Sequence, residues 1–220
     1  MKNYSVKKSV IDFIPTAEFD SKNWENVSSI QIDSWPWHKE KYVHPKISVQ
    51  CQYTDKYLYV RFHVKENFIL AKYSKHQGSV WQDSCVEFFV SPDNLKYFNF
   101  EINCIGTILL CHGKNRHNRK AVDEANINCL KISTSLPRGK IIDEAVKCPY
   151  TGYVVEYAIP FSLFTKYSGI KTPSKDTIWK ANFYKCGDMT PEPSWGSWSP
   201  VNTEQPDFHR PEFFGNIIFE

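Results

Sequence analysis

The chain has 220 residues, 41% of them hydrophobic and 23% charged, with a net charge of +3. That length suits one domain with a full core, and the composition excludes collagen-like and disordered chains. No run approaches about 18 apolar residues, which excludes a membrane-spanning helix, and the near balance of charge offers nucleic acid no broad basic surface.

Taken in order, the chain opens on Met1-Lys2-Asn3-Tyr4-Ser5, which has no apolar segment of signal-peptide type. Read literally the protein is cytoplasmic; export after removal of a leader is the other reading. Residues 1–45 look irregular and rich in Trp and Pro, with one short strand over 28–33 that puts Ile30 and Ile32 on one side. The block Trp35-Pro36-Trp37-His38 reads as an aromatic plug at the end of the core, with a surface shelf as the alternative. Residues 46–53 and 57–64 each alternate in character around the turn Thr54-Asp55-Lys56, a hairpin signature. Residues 65–80 read as a loop or short helical stretch leading to Trp81.

A second hairpin follows. Val86, Phe88 and Val90 share one parity, as do Phe98, Phe100 and Ile102, and Ser91-Pro92-Asp93-Asn94 supplies turn chemistry. Glu87, Glu101 and Asn103 fall on the other face, with Trp81 just upstream. An indole beside fixed polar groups suits a sugar, whose apolar ring face stacks while its hydroxyls take paired donors and acceptors.

Residues 105–111 continue as a strand and 112–127 read as a long polar loop. The only dense basic cluster, Lys114-Asn115-Arg116-His117-Asn118-Arg119-Lys120, has no interleaved aromatics, so it reads as solvated rather than as a nucleic-acid patch. Further strands are expected over 127–133, 153–159, 178–186 and 216–219, a turn at Arg138-Gly139, and a helical turn at Pro160-Phe161-Ser162-Leu163-Phe164. In 178–186, Tyr184 is in phase with Lys180 and Asn182, away from Trp179 and Phe183, and so is a candidate to face a ligand. The segment 191–211 looks like a Pro-rich loop in which Trp198 anchors to the core and Trp195 is the better surface candidate. Roughly nine to eleven short strands with regular turn signals predict an all-β, jelly-roll-like sandwich of two antiparallel sheets with few short helices, as a single domain over 1–220.

The seven cysteines are odd in number and contain no Cys-x-x-Cys pair. Their spacing argues against a zinc site and against a complete disulfide framework, and most are expected to be reduced and buried as small hydrophobes. No Gly-rich phosphate loop, Gly-x-Ser-x-Gly elbow or His-Glu-x-x-His is present.

Four stretches, in order, resemble carbohydrate-binding module family 9 and its DOMON-like relatives. They are Tyr53-Thr54-Asp55-Lys56-Tyr57-Leu58-Tyr59-Val60, Trp81-x5-Glu87-Phe88-Phe89-Val90, Phe100-x-x-Asn103, and the ending from Trp198-Ser199-Pro200 to Phe214-Gly215-Asn216. The resemblance implies a jelly-roll sandwich in which two aromatics bracket a terminal sugar while a Glu, an Arg and an Asn hold its hydroxyls. On that mapping the first Trp is Trp81, the Glu is Glu87 and the Asn is Asn103. Phe208 stands at the second Trp, and Glu101 at the Arg. Arg116 is a candidate to replace that Arg. Some family members carry structural calcium; its ligands find no match here and calcium stays open, while binding requires no cofactor.

The function expected is non-catalytic binding of the end of a plant-type polysaccharide or oligosaccharide such as xylan or glucan. Two other classes compete. A glycan hydrolase would use Glu87 and Glu101 as its carboxyl pair. A haem-binding DOMON relative would need a Met and a His as axial ligands, and Met189 is the only Met besides Met1.

Overall fold

The computed structural model describes residues 1–37 and 39–220; the His38 end of the expected aromatic plug lies outside the described residues. In chain order the strands are β1 (Asn3–Lys8), β2 (Ser29–Gln31), β3 (Lys46–Tyr53), β4 (Tyr57–Lys65), β5 (Phe68–Ala71), β6 (Cys85–Ser91), β7 (Tyr97–Asn103), β8 (Ile108–Asn115) and β9 (Asn118–Ala121). A short helix α1 (Glu124–Ile127) leads to β10 (Lys131–Thr134), β11 (Ile142–Lys147) and β12 (Tyr153–Pro160). Helix α2 (Phe161–Ser168), β13 (Ile178–Cys186), β14 (Trp195–Ser197) and β15 (Gly215–Phe219) complete the chain.

The expected all-β sandwich forms. One layer runs β10-β12-β4-β3 and the other β15-β13-β6-β7-β8-β9, antiparallel within each. β1 joins them: Asn3–Val6 pair parallel with β15, and Lys7 and Lys8 pair parallel with β3. One strand therefore stitches the layers along one side and covers an edge that would otherwise be open. The sequence reading left 1–8 irregular, although Tyr4 and Val6 alternate into the core.

Alternation dictates the packing. Phe62 of β4 meets Phe183 of β13 with ring centroids 6.1 Å apart, and Tyr157 of β12 meets Phe100 of β7 at 6.5 Å. Phe88 stacks on Phe183 at 4.9 Å. Each such ring contributes on the order of 1.5–3 kcal/mol by leaving water. α2 closes the core, with Phe164 set edge-on to Trp179 and to Phe98. It stops at Gly169, whose φ of +66° is the left-handed turn that glycine makes without strain.

The aromatic plug bridges two clusters. Trp35 packs on the main core and covers Gly196, where a Cβ would lie only 2.5 Å from the indole. Trp37 donates its indole N–H to the Thr203 carbonyl and leans on Phe208. Residues 112–127, expected as a long loop, instead finish β8, turn through Arg116 and His117, and return as β9 and α1.

Candidate functional site

The β6–β7 hairpin places Glu87 directly opposite Glu101, and Cys85 opposite Asn103. On the other side of β6, Tyr184 and Cys186 of β13 stand opposite Glu87 and Cys85. Period two sends all these side chains to the face away from the core. That face is not solvated: Glu87, Glu101 and Asn103 are each 3% exposed or less. The segment after β14 and the β8–β9 hairpin wrap over it and leave a pocket of about 560 Å³, lined among others by Trp81, Trp195, Glu87, Glu101, Arg116 and Arg119.

Trp81 sits on a single 3-10 turn, Val80–Gln82, pinned by the buried Val80. The loop after β13 is tied to this turn, because Asp188 N–H donates to the Trp81 carbonyl and Met189 N–H to that of Gln82, at 3.4 and 2.9 Å. Asp188 in turn accepts the indole N–H of Trp195 at 2.8 Å. The two indoles are thus mounted on loops bonded to each other. Both side chains are only partly buried and both line the pocket.

The polar groups between them are held in an unusual electrostatic state. Burial pushes the Glu87 carboxyl well up, and the neighbouring Glu101 adds to the shift; the Cys186 thiol, donating to Glu87 Oε1 at 2.9 Å, works against it. Burial also raises Glu101, to about 7, against the pull of Arg119 and the Asn99 amide. Glu101 Oε1 accepts from Asn99 at 2.8 Å and faces Arg119 at 3.4 Å. Burial and the nearby Arg119 and Arg116 hold His209 down to about 2, so its ring stays neutral, with Nδ1 2.8 Å from the Tyr97 hydroxyl. The pocket therefore offers two acids shifted upwards by burial, a neutral imidazole and guanidinium donors within one concave, aromatic-lined space.

A family profile for carbohydrate-binding family 9 matches residues 19–219. The chain belongs to carbohydrate-binding family 9. It is similar over its whole length to a presumed carbohydrate-binding protein from Bacteroides uniformis, with 32% identity, a TM-score of 0.88 and 99% of that chain covered. Two structures of a family 9 module from Caldicellulosiruptor kristjanssonii share the fold. The complex with glucose has 17% identity and a TM-score of 0.67, with 100% of this chain and 96% of that one covered. For the complex with cellotriose the values are 17%, 0.65, 100% and 94%. No curated protein sequence matches.

In this family 9 chain the structure gathers Trp81, Glu87, Glu101, Arg116, Trp195 and Phe208 around the pocket. Two residues expected to face the ligand do not line it. Asn103 lies at the end of β7, where its amide donates to the Tyr73 carbonyl and to Asp83, and its oxygen accepts the Thr107 N–H. Asp83 also accepts the N–H groups of Lys72 and Tyr73. Asn103 thus belongs to the knot that holds the Trp81 turn. Tyr184 lies beneath Phe208, stacked at 4.2 Å, with its hydroxyl donating to the Phe208 carbonyl. Phe208 keeps only 7% of its surface exposed, so Trp195 offers the larger free ring.

Arg119, Cys186, Asp188, Gln205, Pro206 and His209 also line the pocket and were not anticipated. The basic run, expected as a solvated loop, is the end of β8, the β8–β9 turn and most of β9, and it delivers Arg116 and Arg119 to the rim. Met189 is exposed and lies outside the lining. Among the described residues one group of three His, Cys, Asp or Glu side chains comes close enough to share an ion: Cys85, Glu87 and Cys186. Two thiols do not fit calcium, which takes oxygen ligands. Among the described residues no helix is long and apolar enough to cross a membrane.

Proposed function

We propose that the pocket binds the end of a neutral plant-type oligosaccharide or polysaccharide, a glucan or xylan, without cleaving it. The observation that carries this reading is the pair of loop-coupled indoles, Trp81 and Trp195, lining one pocket with Glu87, Glu101 and Arg119. Stacking buries the apolar face of a sugar ring. The acids and guanidinium groups meet its hydroxyls, and each hydrogen bond from a charged guanidinium is worth about 1.5–3 kcal/mol where water is excluded. The pocket is concave, and its volume of about 560 Å³ lies in the ordinary range for small-ligand sites. The glucose and cellotriose complexes of the C. kristjanssonii module support a glucose-type ring.

Calorimetric titration with glucose, cellotriose and xylotriose tests the proposal. Wild type should bind at least one of them, and Trp81→Ala should lose more than tenfold in affinity while its circular dichroism stays unchanged. No binding of any saccharide at millimolar concentration, or unfolding of Trp81→Ala, would sink it. Steady release of reducing sugar by wild type, lost in Glu87→Gln, would replace it with catalysis.

A further inference from the structure

Beneath the saccharide pocket the fold brings together two cysteines and an acid that are far apart in sequence. Cys85 opens β6 and Cys186 closes β13, and the two are direct cross-strand partners. Glu87, two residues along β6 from Cys85, points to the same face. The two sulfurs and a Glu87 oxygen all lie within 4.8 Å of one another, and all three residues are buried. Cys186 Sγ already stands 2.9 Å from Glu87 Oε1. Ligands around a tetrahedral zinc-type ion, with bonds of about 2.0–2.3 Å, stand roughly 3.3–3.8 Å apart. The three donors thus need only small side-chain rotations to meet one ion.

We propose that Cys85, Cys186 and Glu87 form a binding site for a thiophilic divalent cation of the zinc type. Two sulfurs and one carboxylate select a soft or borderline ion over calcium or magnesium. Each thiol gives its proton to solvent as its sulfur coordinates, including the proton that Cys186 shares with Glu87, and the Glu87 carboxyl releases its own proton to solvent as its oxygen meets the ion. The ligand set then carries three negative charges against the two positive charges of the ion, and Arg119 lines the same pocket. Glu87 and Cys186 both line that pocket, so the fourth coordination position opens towards it, the arrangement of a zinc site that keeps one place for water or a ligand hydroxyl. The spacing of the cysteines in sequence hides the site, because its parts come from strands 101 positions apart brought together by the sheet.

The test uses the reduced, metal-free chain under argon, titrated with Co²⁺ as the probe. Wild type should bind one equivalent, developing thiolate-to-cobalt absorption in the near ultraviolet and the intense visible bands of a four-coordinate site, both abolished by Zn²⁺. Cys85→Ser and Cys186→Ser should each lose at least half of the thiolate absorption, the double variant all of it, and Glu87→Gln should weaken Co²⁺ binding at least tenfold. Cys129→Ser, which changes an exposed thiol elsewhere, should leave the titration unaltered. Circular dichroism checks that each variant is folded; if a serine variant is not, Glu87→Gln decides. Absence of thiolate absorption in wild type, undiminished thiolate absorption in folded Cys186→Ser, or unweakened binding by Glu87→Gln overturns the proposal. So does a Cys85–Cys186 disulfide that survives reductant. None of these readings uses a saccharide, so the proposal stands or fails apart from sugar binding.

Discussion

Two cross-strand pairs of charged residues lie on opposite outer faces of the sandwich, and both are almost fully buried. On β4 and β12, Arg61 stands directly opposite Glu156, and the two meet at 3.1 Å. On β6 and β7, Glu87 stands directly opposite Glu101. Opposite charges in register support a sheet, and like charges in register oppose it. The first pair is also sealed. The Ala17 N–H donates to Glu156, and Arg61 donates to the Glu18 and Phe19 carbonyls, so the ion pair clasps the segment before β2 onto the sheet. The second pair borders a pocket, with Arg119, Asn99 and Cys186 as its nearest partners. A buried ion pair with its own lid is architecture. A buried like-charge pair at a pocket, retained against its cost, is what a site for polar ligands looks like.

The largest effect should come from breaking the sealed pair. Arg61→Ala leaves Glu156 buried without its counter-charge, which costs about 3–5 kcal/mol. Urea denaturation should show this loss, while saccharide affinity at a temperature where the variant is folded should stay within twofold. A parallel collapse of affinity would mean that the two faces are coupled and the contrast between them is false.

Next in size is the pocket's own stacking surface. Trp195 is bonded through its indole N–H to Asp188 and is only partly buried. Trp195→Ala should cost more than tenfold in affinity, or at least about 1.4 kcal/mol, with a change in Tm of only a few degrees. Phe208→Ala should do the reverse, because that ring lies mostly under cover against Tyr184 and Trp37. Equal losses of affinity in the two variants would return Phe208 to the role the sequence resemblance gave it.

The like-charge pair also has a pH signature. Glu101 is raised from 4.5 to about 7, chiefly by burial. The folded state therefore holds a proton that the unfolded state has released, and stability falls as pH rises between those values. His209 runs the other way: held down to about 2 by burial and nearby arginines, it makes stability fall as pH drops below 6.5. The difference between wild type and Glu101→Gln isolates the first slope. Relative to wild type, the variant should gain stability progressively from pH 4.5 to 7, and release of Glu87 from repulsion adds in the same direction. A difference that is flat across this window would show that Glu101 is not held protonated.

Much of this contrast was legible in the sequence, and the part that was not has a physical cause. β3 and β13 fell on the residues expected, because their alternation is strong and both faces pack. Trp81, Glu87 and Glu101 could be placed at one site because period two and one tight turn fix their relation. β1, β5, β9, β11 and β14 were missed: β1, β5 and β11 take their order from partners far away in sequence, while β9 and β14 pair with the strands before them but are only three or four residues long and polar or interrupted. Arg119 looked like one charge in a solvated run, since nothing local says that β9 folds back beside Glu101. Asn103 and Tyr184 were read correctly as lying off the core face but wrongly as open, because the segments that cover them, 72–83 and 198–214, lack any periodic signal.

The smallest effect tests that last point. The Tyr184 hydroxyl donates to the Phe208 carbonyl at 3.2 Å, and its ring supports Phe208 from below at 4.2 Å. Tyr184→Phe keeps the ring and removes only the donor, leaving a carbonyl without its partner. A hydrogen bond of this kind is worth about 0.5–1.5 kcal/mol, which urea denaturation resolves. Saccharide affinity should change less than twofold, because the hydroxyl points into the protein and the stacking surface above is preserved. If affinity instead falls tenfold with stability unchanged, the hydroxyl reaches the sugar, and the covering segment that carries Phe208 must move aside when a ligand enters.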